Sequence, residues 1–243
     1  MLTKYLPIFV ILTLVAEILG TVGGFGSSVF FVPVANFFFN FQSVLGITAL
    51  FHLSSNATKI VFFKKGLDKK LALTLGIPAI LFVSIGAYFS KFLDPKILTY
   101  VLGFFLIILS SAFLIFKKLI VLPKTKNAII GGSLSGLSAG LLGTGGAIRG
   151  ITLAAFKMNK EKFIATSAVI DLGVDFSRTI VYYLNGYMDK QYLYLIPFLI
   201  VVSILGTWMG KKILNKISQD QFRDFVLILI LVIGIVSVIS NLF

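Results

Sequence analysis

Gly20-Thr-Val-Gly-Gly-Phe-Gly-Ser-Ser28 interrupts one apolar stretch of the chain, and Gly140-Leu-Leu-Gly-Thr-Gly-Gly146 interrupts another. Glycine lets a backbone leave helical geometry and lets other groups come close. After each interruption runs an apolar element, residues 27–40 and 147–158, that is shorter than the roughly 20 residues of an ordinary span. At about 1.5 Å per residue such elements reach about 20 Å, against a hydrocarbon core of about 30 Å. Each break therefore starts a short helix inside the membrane with its first amides unpaired. Those amides and the helix dipole favour an anion. Backbone of this kind survives at such depth only when it is covered by protein or faces a watery cavity.

The two breaks occupy matching places. An offset of about 120 residues brings Gly20, Gly23 and Gly26 onto Gly140, Gly143 and Gly146, as an internal duplication would. It also brings Gly66 onto Gly186, Gly86 onto Gly206 and Lys91 onto Lys211, and with one residue of slippage Pro78 onto Pro197. The remaining apolar stretches follow the same order: 5–24, 43–63, 71–90 and 95–116, then 127–143, 162–184, 191–210 and 221–243. Small-xxx-small packing is the plainer use of a glycine cluster. Two clusters at equivalent places, each opening a short helix, favour the broken-helix reading.

Composition agrees. Of 243 residues 58% are hydrophobic and 13% charged, and the mean hydropathy is +1.02. The stretch at 6–24 lacks a basic start and an A-x-A site and carries Glu17, so it reads as a span rather than a signal peptide. With no cysteine, disulfides and thiolate metal sites are excluded, and no metal or cofactor is expected. The net charge of +13 is assigned to basic loops, not to nucleic-acid binding.

Charge placement sets an expected topology. If each break turns the chain back, one side collects Lys64, Lys65, Lys69, Lys70, Lys117, Lys118, Lys124, Lys126, Lys157, Lys160, Lys162, Lys211, Lys212, Lys216 and Arg223. The other side holds Lys4, Lys91, Lys96 and Lys190. The positive-inside rule then makes the first side cytoplasmic and both termini extracytoplasmic. The expected fold is an all-α integral membrane protein of the cell membrane, built from two inverted-topology repeats over 1–122 and 123–243. Each repeat is a glycine-broken short helix pair followed by about three transmembrane helices.

Ionisable groups inside a bilayer cost about 2.5–3.5 kcal/mol each, so each one needs a reason. Away from the loops stand Glu17, His52, Lys59, Arg149, Asp171, Asp175 and Arg178. Asp171, Asp175 and Arg178 share one helix face, and the repeat offset brings His52, Asn56 and Lys59 onto them. Plainer roles stand beside ligand contact. Asp175 and Arg178 can neutralise each other, Lys59 can snorkel to the cytoplasmic surface, and Arg149 can pair with Glu17. His52 reads as a proton relay or as a hydrogen-bonded polar residue, while Glu17 and Asp171 are further candidates for proton coupling. Arg149, three residues past the second break, is the candidate counter-charge for an anion. The expected substrate-binding set is Gly23, Gly24, Gly26, Ser27, Ser28, Gly143, Thr144, Gly145, Gly146, Arg149, His52, Asn56, Asp175 and Arg178. The phenylalanines of 30–41 are read as mostly lipid-facing. Tyr182, Tyr183, Tyr187, Tyr192 and Tyr194 are read as an interfacial belt.

Gly23-Gly-Phe-Gly-Ser-Ser-Val-Phe-Phe-Val-Pro33 and Gly143-Thr-Gly-Gly-Ala-Ile-Arg-Gly150 resemble the paired glycine motifs of the TauE/SafE sulfite-exporter family, also called toluene sulfonate uptake permeases. Ser27 and Ser28 stand where that family tends to continue with glycine, and Leu153 replaces its second-half proline. The resemblance implies a duplicated membrane transporter for sulfite, thiosulfate, sulfonates or related small organic anions, with protons a candidate coupling ion. An ion channel using the same breaks as a pore is the alternative. An intramembrane enzyme is not expected, since there is no HExxH, no cysteine and no Ser-His-Asp set around the single histidine.

Overall fold

The computed structural model describes residues 2–24, 26–63, 66–116, 122–214, 216 and 219–239, and side chains at 5–24, 26–63, 66–116, 122–214, 216 and 227–239. Among these are ten α-helices and no strand. The first five are α1 (Leu2–Gly23), α2 (Ser28–Asn36), α3 (Phe41–Phe62), α4 (Lys69–Phe89) and α5 (Pro95–Ile115). The second five are α6 (Thr125–Leu142), α7 (Gly146–Ala154), α8 (Lys160–Leu184), α9 (Ile196–Leu214) and α10 (Gln219–Ile239). Four segments, Tyr5–Gly23, Lys69–Phe92, Pro95–Ile115 and Lys190–Leu214, are long and apolar enough to cross a membrane. Helices α3 and α8 are equally long but carry the polar stripe, which lowers their hydropathy.

Both short helices are nine residues, about 14 Å at 1.5 Å per residue, so neither spans. Each folds back along the helix before it. The Phe9 ring, early in α1, meets Phe38 and Phe39 just past α2, at 5.4 and 5.2 Å between centroids. Gly131, early in α6, backs onto Thr152 near the end of α7. The chain thus leaves each hairpin at the level where it entered.

Corresponding helices of the two halves pair with each other. Helices α3 and α8 run antiparallel: Gly46 backs onto Tyr187, and Gly66 onto Lys162 at the other end. Helices α5 and α10 pair with Gly103 against Val238 and Gly234 against Ile107, again antiparallel. The other packings are exchanged, α4 against α6 and α9 against α1. Caps recur as well. Asn40 accepts from Ser43 N at 2.9 Å to start α3, and Asn159 from Lys162 N at 2.8 Å to start α8. Asp68 caps α4, and Asp189 caps the 3-10 turn leading into α9.

The α4–α6 seam is the closest approach. A Cβ on Gly136 would lie 2.1 Å from the Ala79 carbonyl oxygen, so only glycine lets the backbones meet. Gly132 and Gly140 face Leu75 and Val83 in the same way.

Two readings of the aromatics change. Phe30, Phe31, Phe39 and Phe41 are buried and only Phe37 is largely exposed, because α2 lies inside the bundle with nearly every residue covered. Tyr182 and Tyr187 are core residues stacked at 5.6 Å, whereas Tyr183 and Tyr194 are exposed and Tyr192 packs on Phe39. The Tyr182 hydroxyl is drawn inward by the Gly140 carbonyl, to which it donates at 2.7 Å. Lys64, Lys65, Lys117, Lys118 and Phe25, and the side chains of Lys4 and Arg223, lie outside the described residues. Of the other basic residues, Lys160, Lys162 and Lys211 gather at one end. Lys211 donates to Phe62 O, Lys160 to Leu214 O, and Lys162 pairs with Asp68 at 3.1 Å.

Candidate functional site

The first break runs from the last residue of α1, Gly23, to Ser27, with Gly24 at φ 71° and Gly26 at φ 82°. The second runs over Gly143, at φ 76°, then Thr144 and Gly145, to Gly146 at the start of α7. No side chain caps α2 or α7. Ser27, Ser28 and Thr144, in the expected substrate-binding set, have protein partners here. Ser28 and Thr144 join their hydroxyls at 3.2 Å, so the two uncapped helix starts are neighbours across the halves. Ser135 and Ser138 of α6 hold the second break by donating to the carbonyls of Gly145 and Thr144.

Ser27 donates to Glu17 Oε2 at 2.6 Å, which leaves His52 Nε2, 3.3 Å away, to donate to Ser27. Glu17 is fully buried and has four more donors on Oε1. These are Ser55 at 2.8 Å, Thr207 at 3.0 Å, Thr21 at 3.3 Å and the Lys59 ammonium at 2.8 Å. Lys59 also donates to Ser55 at 2.6 Å. Gly206 makes the room: a Cβ there would come within 2.7 Å of Glu17 Cγ. Lys59 was expected to snorkel outward. It turns inward and is 5% exposed, drawn by the buried Glu17 carboxylate 2.8 Å away.

Arg149 does not reach Glu17. Its guanidinium pairs with Asp171 through Nη1 and donates from Nε to Ser167 at 2.9 Å. Arg178 pairs with Asp175 at 2.7 Å and donates to the carbonyls of Gly143 and Ala139, closing the C-terminus of α6. Asn56 reaches across the halves to Asp175 at 2.6 Å. The polar stripe is therefore a set of three buried ion pairs tying α3 and α8 to the two breaks.

Beside the first break is a narrow pocket with a cavity volume of roughly 10 Å³, about the room of one water, so a larger ligand needs its walls to part. Its polar wall comes from Thr21, Asn56 and Lys59 of the first half and Ser167 and Asp171 of the second, and Gly24 and Gly26 form its backbone edge. It lies toward the end that gathers Lys160, Lys162 and Lys211, since Ile164 and Ser167 sit early in α8 and Lys59 late in α3. The opposite side of the breaks is filled by the aromatic core around Phe9, Phe31, Phe39, Phe51 and Tyr182. Of the residues expected to bind substrate, Gly24, Gly26 and Asn56 line this pocket, and so does Asp171. Gly23, Ser27, Ser28, His52, Arg149, Asp175, Arg178 and the second break stand behind it. Thr21 and Ser167 were not foreseen, and Lys59 was read as a snorkelling cation. The spacing of Ser167 one turn before Asp171 was the available signal.

The model of the sulfite exporter TauE/SafE family matches residues 9–237. The chain belongs to that family. A probable membrane transporter protein of Methanocaldococcus jannaschii is 27% identical over 90% of each chain. No solved structure matches the present chain significantly. The TauE/SafE chain is thus a multi-pass membrane transporter and not an enzyme.

Proposed function

We propose that this TauE/SafE chain is a secondary transporter for a small anion, of the class of sulfur oxyanions, organosulfonates and organic acids, working by alternating access. The single observation that carries the reading is the pocket at the first break, walled by both halves and edged by backbone next to an uncapped helix start. The proposal takes residues 1–122 and 123–243 as inverted repeats, supported by the antiparallel pairing of α3 with α8 and of α5 with α10. The bundle sits in the cell membrane with its basic end cytoplasmic and both termini outside, so the pocket lies on the cytoplasmic side of the breaks. Rocking of the halves would carry the ligand past the aromatic core. Of the three titratable candidates, Asp171 is on the pocket wall, and proton coupling is assigned to it before Glu17 or His52.

Purified chain in liposomes, loaded with unlabelled sulfite, thiosulfate or a small alkanesulfonate, tests this. Saturable uptake of the labelled anion, stimulated by the same anion on the far side, is the expected result. Flux that rises in proportion to voltage without saturation would establish the channel instead, and no flux of any of the three would remove the anion reading.

A further inference from the structure

Three buried cations surround the breaks, and they are not equally free to serve a ligand. Arg178 gives its Nη groups to Asp175 and to the carbonyls of Ala139 and Gly143, and its buried Nε, without a partner among the described residues, is not on the pocket wall. Arg149 is the only donor described on Asp171, so withdrawing it would leave that carboxylate, 13% exposed on the pocket wall, without a donor. Lys59 differs on both counts. It lines the pocket, which neither arginine does. Its partner Glu17 keeps four hydroxyl donors, from Thr21, Ser27, Ser55 and Thr207, when the ammonium leaves. An ammonium carries three donors, and Glu17 and Ser55 account for two, so one is spare even before any movement.

We infer that Lys59 is the cation that binds the transported anion, exchanging Glu17 for the ligand at the pocket wall while the hydroxyl cradle holds Glu17. This rests on the transport reading above. Within it, Arg149 becomes a positioning residue: it fixes Asp171 and Ser167 on the facing wall and does not touch the ligand. The bound state is then one in which the lysine joins the ligand and α1 loses its salt link to α3. That change gives the ligand a direct effect on the first hairpin.

The test uses the reconstituted chain with the best carried of sulfite, thiosulfate and ethanesulfonate. Removing the pair together, Lys59→Gln with Glu17→Gln, leaves no unpaired buried charge. It should raise the half-saturating concentration by about ten- to one-hundred-fold, the ratio for one lost charge-assisted hydrogen bond. Thr207→Val, away from the pocket, removes one hydroxyl that replaces the lysine at Glu17. It should raise half-saturation by about three-fold, less than one full hydrogen bond, with the maximal rate preserved. The second variant keeps the question answerable if the first does not fold. Half-saturation unchanged in the folded variants, with wild-type chain carrying the anion, overturns the lysine assignment and leaves the transport reading intact. A wild-type chain that carries none of the three anions overturns both.

Discussion

At the first break the cation reaching back from the third helix is Lys59, and it meets a carboxylate of another helix; at the second break the cation in the matching place is Arg178, and it meets Asp175 of its own helix and the carbonyls that end α6. The difference begins one layer out. Gly206 of α9 makes a notch filled by Glu17 of α1, while Gly86 of α4 makes the matching notch against Leu137 of α6. One hairpin is thus held by a charge and a hydroxyl cradle, the other by backbone contact and a capped helix end. Hydroxyls and an ion pair can exchange partners. Backbone carbonyls pressed against glycines cannot. The first hairpin is the adaptable one, and the pocket lies beside it.

Substitutions that attack the rigid side should cost most. Gly136→Leu forces a side chain into the Ala79 carbonyl and should destabilise by more than about 4 kcal/mol, seen as loss of folded protein in detergent. A chain of normal thermal stability would show that the α4–α6 seam can open. Arg178→Met leaves Asp175 buried with Asn56 and uncovers two carbonyls, at a cost of about 3–5 kcal/mol in thermal or denaturant unfolding.

The contrast between the pairs sharpens next. Arg149→Met strands Asp171, so its cost should fall in the same range of about 3–5 kcal/mol, whereas Lys59→Met should cost about 1–2 kcal/mol because four hydroxyls still serve Glu17. Equal losses would mean that the cradle does not hold the carboxylate by itself. The smallest effect is at the basic end. The Asp68 carboxyl is held below its ordinary value by the Leu71 amide it caps and by Lys162. Its contribution is present above the unfolded value of about 3.9 and is lost as pH falls through the lower folded value. Asp68→Asn should therefore cost at most about 1 kcal/mol at neutral pH, with the gap to wild type closing in acid.

The repeat of glycines made the breaks legible in the sequence, and the apolar stretches gave the long helices. The stripe at 171, 175 and 178 was legible too, because spacing along one helix fixes a face. Its partners were not. Spacing cannot show that Lys59 turns inward, since the reason is a carboxylate 42 residues away whose helix meets α3 only in the fold. The same holds for Arg149, where Asp171 rather than Glu17 lies within reach. The aromatics of 30–41 misled because a short apolar helix inside a bundle and one facing lipid have the same composition. The caps Asn40 and Asn159, and Asp68 and Asp189, lie 119 and 121 residues apart, close to the offset that the glycines share.

Because the chain has no cysteine, a single introduced thiol is an unambiguous probe. Ser167→Cys places it on the pocket wall opposite Lys59. A membrane-impermeant maleimide added from the basic end should label it, and the carried anion should block labelling at concentrations that saturate transport. Full labelling at saturating anion would show that the ligand lies elsewhere and that this pocket is not the binding site.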